Sequence, residues 1–313
     1  MITTRWLDNK IESIEKAIEL LSVAPNNDIN QDSPSYYNWD VQKVFEEIQE
    51  VTLNGKEIKY NYFKYKYDYI TPGNQPIEDR TVKNEGIIIA YFNGKSVNYI
   101  INRNSDAQKI LRKLLNYTGR NEIEKNMVSF DNVFFIWLIN RVYTNENIIE
   151  PFNDELHSIS LDAIKGFKGN TEDLLTKVTA NGESVMNIIS TLSFLLESRN
   201  LHQITLDLQY FTHQSITLVL SNKSNDATNG TVSIYENKYQ GTLEDEANQD
   251  NVLPKLFLLV YLEILPILIQ SYNSDKDNER WSKSANITFL ESVAKELSDK
   301  VAIRVDSLKT NRN

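Results

Sequence analysis

The chain contains no cysteine, and glycine, proline and histidine are scarce, with 10, 7 and 3 copies among 313 residues. Without cysteine the chain cannot form disulfides, thiolate zinc sites, iron–sulfur clusters or a cysteine nucleophile. The sequence also lacks the glycine-rich phosphate-binding loops, the Gly-x-Ser-x-Gly nucleophile elbow and the His-Glu-x-x-His metal pair. We therefore expect no metal and no resident cofactor, and we lean towards a protein that is not an enzyme.

Basic residues are fewer than acidic ones, and long apolar runs are scarce. The formal net charge is -10, which on average repels nucleic acid and anionic membranes, so any nucleic-acid contact needs a local basic patch. The N-terminus has no basic segment followed by an apolar run, so no signal peptide is predicted. The most apolar stretch, residues 253–272, is interrupted by Glu263 and Pro266, which favours a buried core helix over a membrane span. We expect a cytoplasmic protein without a membrane contact.

The hydrophobic patterning predicts an α+β fold, with antiparallel meander sheets each followed by buried helices in two units of similar size. The first unit is predicted to span residues 1–150. It would contain a helix over residues 3–22, a short helix after Asp40, a three-stranded meander and two further helices, one that begins near Ser105 and one capped by Ser129 or Asp131. Asn93-Gly94 lies between two β-rich runs, which predicts a hairpin closed by a type I′-like turn.

The second unit is predicted to span residues 151–313, after a polar segment that contains Pro151. It would begin with an extended stretch at residues 157–167, followed by helices from Thr171 and from Glu183. Antiparallel strands are then predicted between residues 203 and 235, followed by an apolar helix at residues 252–271. An amphipathic helix would end the chain, with its apolar stripe at Leu290, Val293, Leu297 and Val301.

A magnesium-dependent nuclease is one alternative function. Such sites combine carboxylates that hold the metal with a lysine that stabilises the attacking water or the phosphate. Glu57 and Lys59 form a Glu-x-Lys triplet on a predicted strand, and Asp207 is a third candidate on another strand. With this many glutamates and lysines, roughly two or three such triplets arise by chance. Magnesium would be a cofactor only under this alternative.

The segment KYNYFKYKYDYI, residues 59–70, interleaves aromatic rings with lysines. Side chains alternate between the two faces of a strand, so the more aromatic face, with Phe63 and Tyr65, is predicted to pack inwards. The opposite face carries the candidate binding residues Tyr60, Tyr62, Lys64 and Lys66. Three interpretations are open: an edge strand guarded by lysines, a protein interface or a stacking platform for single-stranded nucleic acid. We favour the edge strand and expect Tyr62 and Lys64 to be more exposed than Phe63 and Tyr65.

The composition, rich in Asn, Lys, Ile and Tyr, is typical of AT-rich bacterial or phage genes. With no strong catalytic motif, the sequence favours a non-catalytic binding or adaptor subunit of a bacterial or phage assembly, such as a phage-defence or mobile-element system. We expect a protein partner or a homo-oligomer, with nucleic acid as a possible partner. The alternatives are the magnesium-dependent nuclease and a single-stranded nucleic-acid-binding protein.

Overall fold

The computed structural model describes residues 1–27, 33–119, 121–152, 156–170, 177–181, 196, 200–223, 226–245 and 249–310. The fold is α+β, as predicted, with antiparallel strands and helices in both of its compact units. The first unit comprises residues 1–127 and 246–259, and the second comprises residues 128–245 and 260–313.

The boundary therefore lies at residue 127, where the sequence predicted one near residue 150. The difference arises from helix α4, Asn132–Tyr143, which was assigned to the first unit but packs on strands of the second unit. The segment 246–259 returns to the first unit, where the Tyr60 hydroxyl donates a hydrogen bond to Asn251 Oδ1 at 3.1 Å. Neither long-range contact is visible in local sequence patterns.

The first unit is built on one antiparallel sheet with strand order β7-β1-β6-β5-β4, and both β2 and β3 pair with the far side of β4. Among the described residues four α-helices accompany the sheet, and α1 and α3 contribute to its buried core. The strands are β1 Ile2–Asp8, β2 Ser35–Lys43, β3 Gln49–Leu53, β4 Lys56–Ile70, β5 Thr81–Phe92, β6 Val97–Ile101 and β7 Ile123–Lys125. The helices are α1 Ile14–Leu21, α2 Ile77–Arg80, α3 Ala107–Leu114 and α5 Val252–Leu259.

The predicted helix over residues 3–22 is wrong in its first half, which forms β1. The Asp8 carboxylate ends this strand, because its Oδ1 accepts hydrogen bonds from the backbone amides of Lys10 and Ile11. Helix α1 then begins after Ser13, whose hydroxyl caps it. The short helix predicted after Asp40 is also wrong, because residues 41–43 continue β2 in register with β4 and residues 44–48 form no helix.

Strand β4 is a central strand, so the prediction that it is an edge strand is wrong. It pairs with β5 from Lys59 to Ile70 on one side and with β2 and β3 on the other. Within the described residues, β2 pairs only with β4 and so forms an edge of this sheet. The aromatic content of β4 reflects its position between two neighbours.

The hairpin between β5 and β6 is confirmed, but its turn differs from the prediction. Four residues, 93–96, connect the paired Phe92 and Val97. Of the two residues in Asn93-Gly94, only Gly94 has a positive φ, at 85°, whereas a type I′ turn needs two. The Asn93 side chain stabilises the loop, because its Oδ1 accepts from the backbone amides of Lys95 and Ser96.

The second unit contains a sheet with strand order β10-β9-β11-β12-β13, in which β8 pairs with β9 and β14 pairs with β12. The predicted helix after Asp131 and the extended stretch that became β9 are confirmed. The helix predicted from Thr171 is wrong at residues 177–181, which form a strand paired with β9, and its start at Thr171 lies outside the described residues. The helix predicted from Glu183 begins outside the described residues. The strands are β8 Ile148–Ile149, β9 Ile159–Asn170, β10 Lys177–Asn181, β11 Asn200–Tyr210, β12 His213–Lys223, β13 Asp226–Ile234 and β14 Gln240–Gly241.

The apolar helix is confirmed as a long helix, Val252–Asp277, that changes from α to π geometry and back. By length and composition it could cross a membrane, yet 72% of its most apolar window is buried inside the fold. This burial supports the prediction of a core helix. Its three parts are α5, a π-helical turn Val260–Ile264 and α6 Leu265–Asp277, and helix α7, Lys283–Thr310, follows.

Candidate functional site

The four binding residues predicted on β4 do not form one open surface. Tyr60 and Tyr62 are buried, with 0% and 3% of their surface exposed. Lys64 is exposed, as predicted, and its Nζ lies 3.1 Å from Asp250 Oδ1. Tyr62, in contrast, is buried almost as fully as Phe63, so this part of the exposure prediction is wrong. The segment before α5 supplies the partners of Tyr60 and Lys64, and this contact spans almost 200 residues of sequence.

Of the three candidate nuclease residues, Glu57 and Lys59 lie in the first unit and contact each other, whereas Asp207 lies in the second unit with its own partners. Lys59 Nζ is 3.9 Å from Glu57 Oε1 and 3.7 Å from Glu50 Oε1, in a solvated cluster at the sheet surface. Asp207 accepts a hydrogen bond from Thr217 Oγ1 at 2.7 Å and pairs with Lys165 at 3.2 Å. In the described part of the chain, no group of three or more His, Asp or Glu residues could hold a metal ion.

Lys66 belongs to a different site, a cleft that forms around a β-bulge in β2. Tyr37 is opposite Asp68 and Asp40 is opposite Lys66, so β2 contains one residue more than β4 over this stretch. Asn38 adopts a left-handed conformation with φ of 56°. Its side-chain amide donates to Asp68 Oδ2 at 3.1 Å, which fixes the bulge to β4.

The bulge places Trp39 on a cluster of aromatic rings. The indole stacks on Tyr67 with ring centroids 4.5 Å apart and an interplanar angle of 25°. Tyr36 contacts both rings, and Tyr65 stacks on Tyr67 with a centroid distance of 6.2 Å. Offset stacking of this kind stabilises each ring pair by about 0.5–1.5 kcal/mol beyond the buried area. The floor of the cleft is therefore made of stacked aromatic rings.

Arg103 contacts the tyrosine rings of this floor. Its guanidinium lies 5.4 Å from the Tyr67 centroid, and its Nε donates to the Tyr65 hydroxyl at 3.3 Å. The two terminal nitrogens of Arg103 donate to Asn84 Oδ1. Arg103 Nη1 lies 3.6 Å from Asp106 Oδ2, whose negative charge balances the guanidinium. Burial raises the pKa of Tyr65 to about 12, despite the opposing effect of Arg103, and it also raises the pKa of Tyr67. Both tyrosines are neutral at physiological pH.

The cleft has a volume of about 590 Å³ and a rim of opposite charges. Three carboxylates and two lysines line it, so the rim has a formal charge of −1. The lysines form no ion pair within the described residues. The Trp39 indole nitrogen is buried and has no hydrogen-bond partner among the described residues. The lining residues are Asn38, Trp39, Asp40, Lys66, Tyr67, Asp68, Lys83, Asn84 and Glu85.

Sequence reasoning missed Trp39, because Asn38-Trp39-Asp40 was interpreted as the start of a helix. The aromatic and hydroxyl-rich run Ser35 to Trp39 has strand composition, and this signal could have indicated β2. The bulge itself depends on pairing with β4 and leaves no local signature.

No family model matches the chain, and no curated protein matches it. Among solved structures, the chain is similar to the crystal structure of the di-domain ARO/CYC StfQ from the steffimycin biosynthetic pathway. The identity is 9%, the match covers 96% of this chain and 99% of that chain, and the TM-score is 0.17. A likeness this distant carries no argument about what the chain binds or does.

Proposed function

We propose that the chain is a non-catalytic binding subunit that docks a basic side chain of a protein partner in the cleft at Trp39. The observation that carries the proposal is the Trp39–Tyr67 stack in a cleft whose lining also includes Asp40, Asp68 and Glu85. Aromatic faces attract ammonium and guanidinium groups by about 0.5–1 kcal/mol at exposed sites and about 2 kcal/mol when the cation is desolvated. Carboxylates beside the rings add charge complementarity for the same group.

The charge of the rim favours a basic peptide over nucleic acid. A phosphate backbone would meet Lys66 and Lys83, but also Asp40, Asp68 and Glu85. The net charge of -10 adds a repulsive field for nucleic acid and an attractive field for a basic partner. Single-stranded nucleic-acid binding is thus the less supported alternative.

The position of the cleft on an edge strand supports a peptide ligand. Within the described residues β2 pairs with a strand on one side only, so its other side can pair with an incoming extended segment, except at Asn38, whose backbone amide already donates to Asn27 Oδ1. The bulge interrupts this edge beside Trp39. A partner strand paired along β2 would therefore bring a side chain directly to the cleft.

Calorimetry with the peptide acetyl-Gly-Arg-Gly-amide tests this proposal. Trp39→Leu keeps apolar volume but removes the π face, and Glu85→Gln removes one rim charge. We expect Trp39→Leu to weaken binding about two- to thirtyfold, which is the range that cation–π energies give. Glu85→Gln should weaken it about one- to fivefold, as expected for an exposed ion pair.

Glu12→Gln is the matched control, because Glu12 is an exposed carboxylate of the same unit and does not line the cleft. This variant should bind as the wild type does. Equal affinity of wild type and Trp39→Leu would contradict the proposal. Tighter binding of an oligothymidylate at the same cleft would favour the nucleic-acid alternative instead. The assignment to a phage-defence or mobile-element assembly stays a prediction, and genomic neighbours would test it.

A further inference from the structure

The second unit contains a separate cleft at the C-terminal end of α6, with a volume of about 290 Å³. The chain reverses there at Glu279, which adopts a left-handed φ of 58°. The backbone amide of Trp281 then donates to the Asp275 carbonyl at 2.9 Å, so the residues after the reversal return to the helix end. The lining residues are Trp137, Asn140, Arg141, Glu146, Asp275, Arg280 and Trp281.

Asp275 organises the cleft. Its Oδ2 accepts a hydrogen bond from Trp137 Nε1 at 2.9 Å and lies 3.7 Å from Arg141 Nη1. Its Oδ1 lies 3.9 Å from Arg280 Nη1. Arg141 Nη1 also lies 3.7 Å from Glu146 Oε2. Two arginines and two carboxylates thus balance in formal charge, and Asp275 contacts both arginines.

Two hydrogen-bond donors of the cleft nevertheless have no acceptor among the described residues. Arg141 Nε and Trp281 Nε1 are both buried and have no hydrogen-bond partner among the described residues. Trp281 itself is only 5% exposed, so water does not readily satisfy its indole nitrogen. Arg280 is 76% exposed in its side chain, and its contact with Asp275 is too long for a hydrogen bond. A buried donor without an acceptor is costly, and a ligand that supplies acceptor oxygens removes that cost.

We propose that this cleft binds an oxyanion, a carboxylate or phosphate group, with the exposed Arg280 as the clamp. Guanidinium groups bind carboxylate and phosphate oxygens through paired N–H donors, and charge-assisted bonds of this type are the strong ones. A water molecule takes about 30 Å³ in the liquid, so 290 Å³ has room for phosphate or a small organic acid. The proposal uses no residue of the cleft at Trp39 and is independent of the function proposed there.

The test follows fluorine NMR of protein labelled with 5-fluorotryptophan, whose four tryptophans give four resonances. Trp→Phe substitutions assign Trp137 and Trp281. Potassium phosphate and potassium acetate are titrated separately against potassium chloride at matched ionic strength. We expect a saturable shift of the Trp281 resonance with at least one oxyanion and none with chloride. A response to phosphate alone or to acetate alone identifies the preferred group, and either response supports the proposal.

Arg280→Gln should weaken this binding by at least about tenfold, the loss expected for a charge-assisted hydrogen bond. Arg280 is exposed, so its substitution should leave the fold intact. The remaining tryptophan resonances check that it does. Arg304→Gln changes an exposed arginine on α7 and should leave the affinity unchanged. A shift that never saturates and equals the shift with chloride would overturn the proposal. Saturable binding that is the same in Arg280→Gln would overturn it as well.

Discussion

Asp8→Ala is expected to destabilise the first unit by about 4 kcal/mol, because one buried carboxylate connects four donors there. Asp8 is 4% exposed at the end of β1. Its Oδ2 accepts from the hydroxyls of Tyr99 at 2.8 Å and Tyr117 at 2.9 Å. Its Oδ1 accepts from the backbone amides of Lys10 and Ile11 at 2.8 and 3.1 Å.

The magnitude follows from which donors water can reach after the substitution. The two backbone amides are only partly buried, whereas both tyrosine bonds are buried. Each hydrogen bond to a charged group stabilises by about 1.5–3 kcal/mol, so the two tyrosine bonds account for roughly 3–6 kcal/mol. Relief of the desolvated carboxylate offsets part of this loss, which leaves about 4 kcal/mol. Asp8→Asn should cost only about 1–2 kcal/mol, because the hydroxyls can rotate to accept from the amide.

Urea unfolding at pH 7, followed by near-ultraviolet circular dichroism, measures both variants against the wild type. The expected order of stability is wild type, then Asp8→Asn, then Asp8→Ala. An equal loss in the two variants would refute the reasoning, because it would mean that the hydroxyls need the charge itself and not an acceptor. A loss below about 1 kcal/mol in Asp8→Ala would show that the tyrosines find other partners.

The other predictions concern stability and pH. Gly86→Ala should lower the free energy of unfolding in urea by about 1–3 kcal/mol, because the added Cβ overlaps the Tyr65 hydroxyl and Asn102 Oδ1. Gly94→Ala places its Cβ where no atom lies within 4 Å, so it costs only the backbone strain at φ of 85°. Burial lowers the pKa of His213. Below its ordinary value of 6.5 the unfolded chain binds a proton that the folded chain does not, so the free energy of unfolding decreases as the pH is lowered below this value. His213→Gln should remove this part of the pH dependence between pH 7.5 and 5. The pKa of Tyr65, raised to about 12 by burial, predicts that this phenol ionises above the ordinary value of 10.0 in an ultraviolet titration.

Elements whose apolar periodicity extends over several turns or alternations could be predicted from the sequence. Helices α3 and α4 and the hairpin at Asn93-Gly94 belong to this class. The N-terminal helix prediction failed because Leu7 and Ile11 fit a helical spacing by coincidence. The strand there is determined by pairing with β6, more than 90 residues away, and by the carboxylate of Asp8.

The candidate site could be predicted only in part. Lys66 was selected from the alternation along β4 and does line the cleft. Tyr60 and Tyr62 were selected by the same rule, but the fold buries them. Alternation assigns side chains to a face, and it contains no information on what covers that face. Trp39 reaches the cleft through a bulge, which depends on the partner strand and is invisible in a single sequence.

The response of the Trp39 fluorine resonance to two peptides tests the proposed binding function most directly. Acetyl-Gly-Arg-Gly-amide and its citrulline counterpart have nearly the same shape, but only the arginine peptide carries a charge. Trp39 lines the cleft and stacks on Tyr67, so its ring reports occupancy. We predict a saturable shift with the arginine peptide and a response at least about threefold weaker with citrulline, in line with cation–π energies at exposed sites. Equal responses to the two peptides, or no response to either, would contradict the proposed recognition of a basic side chain.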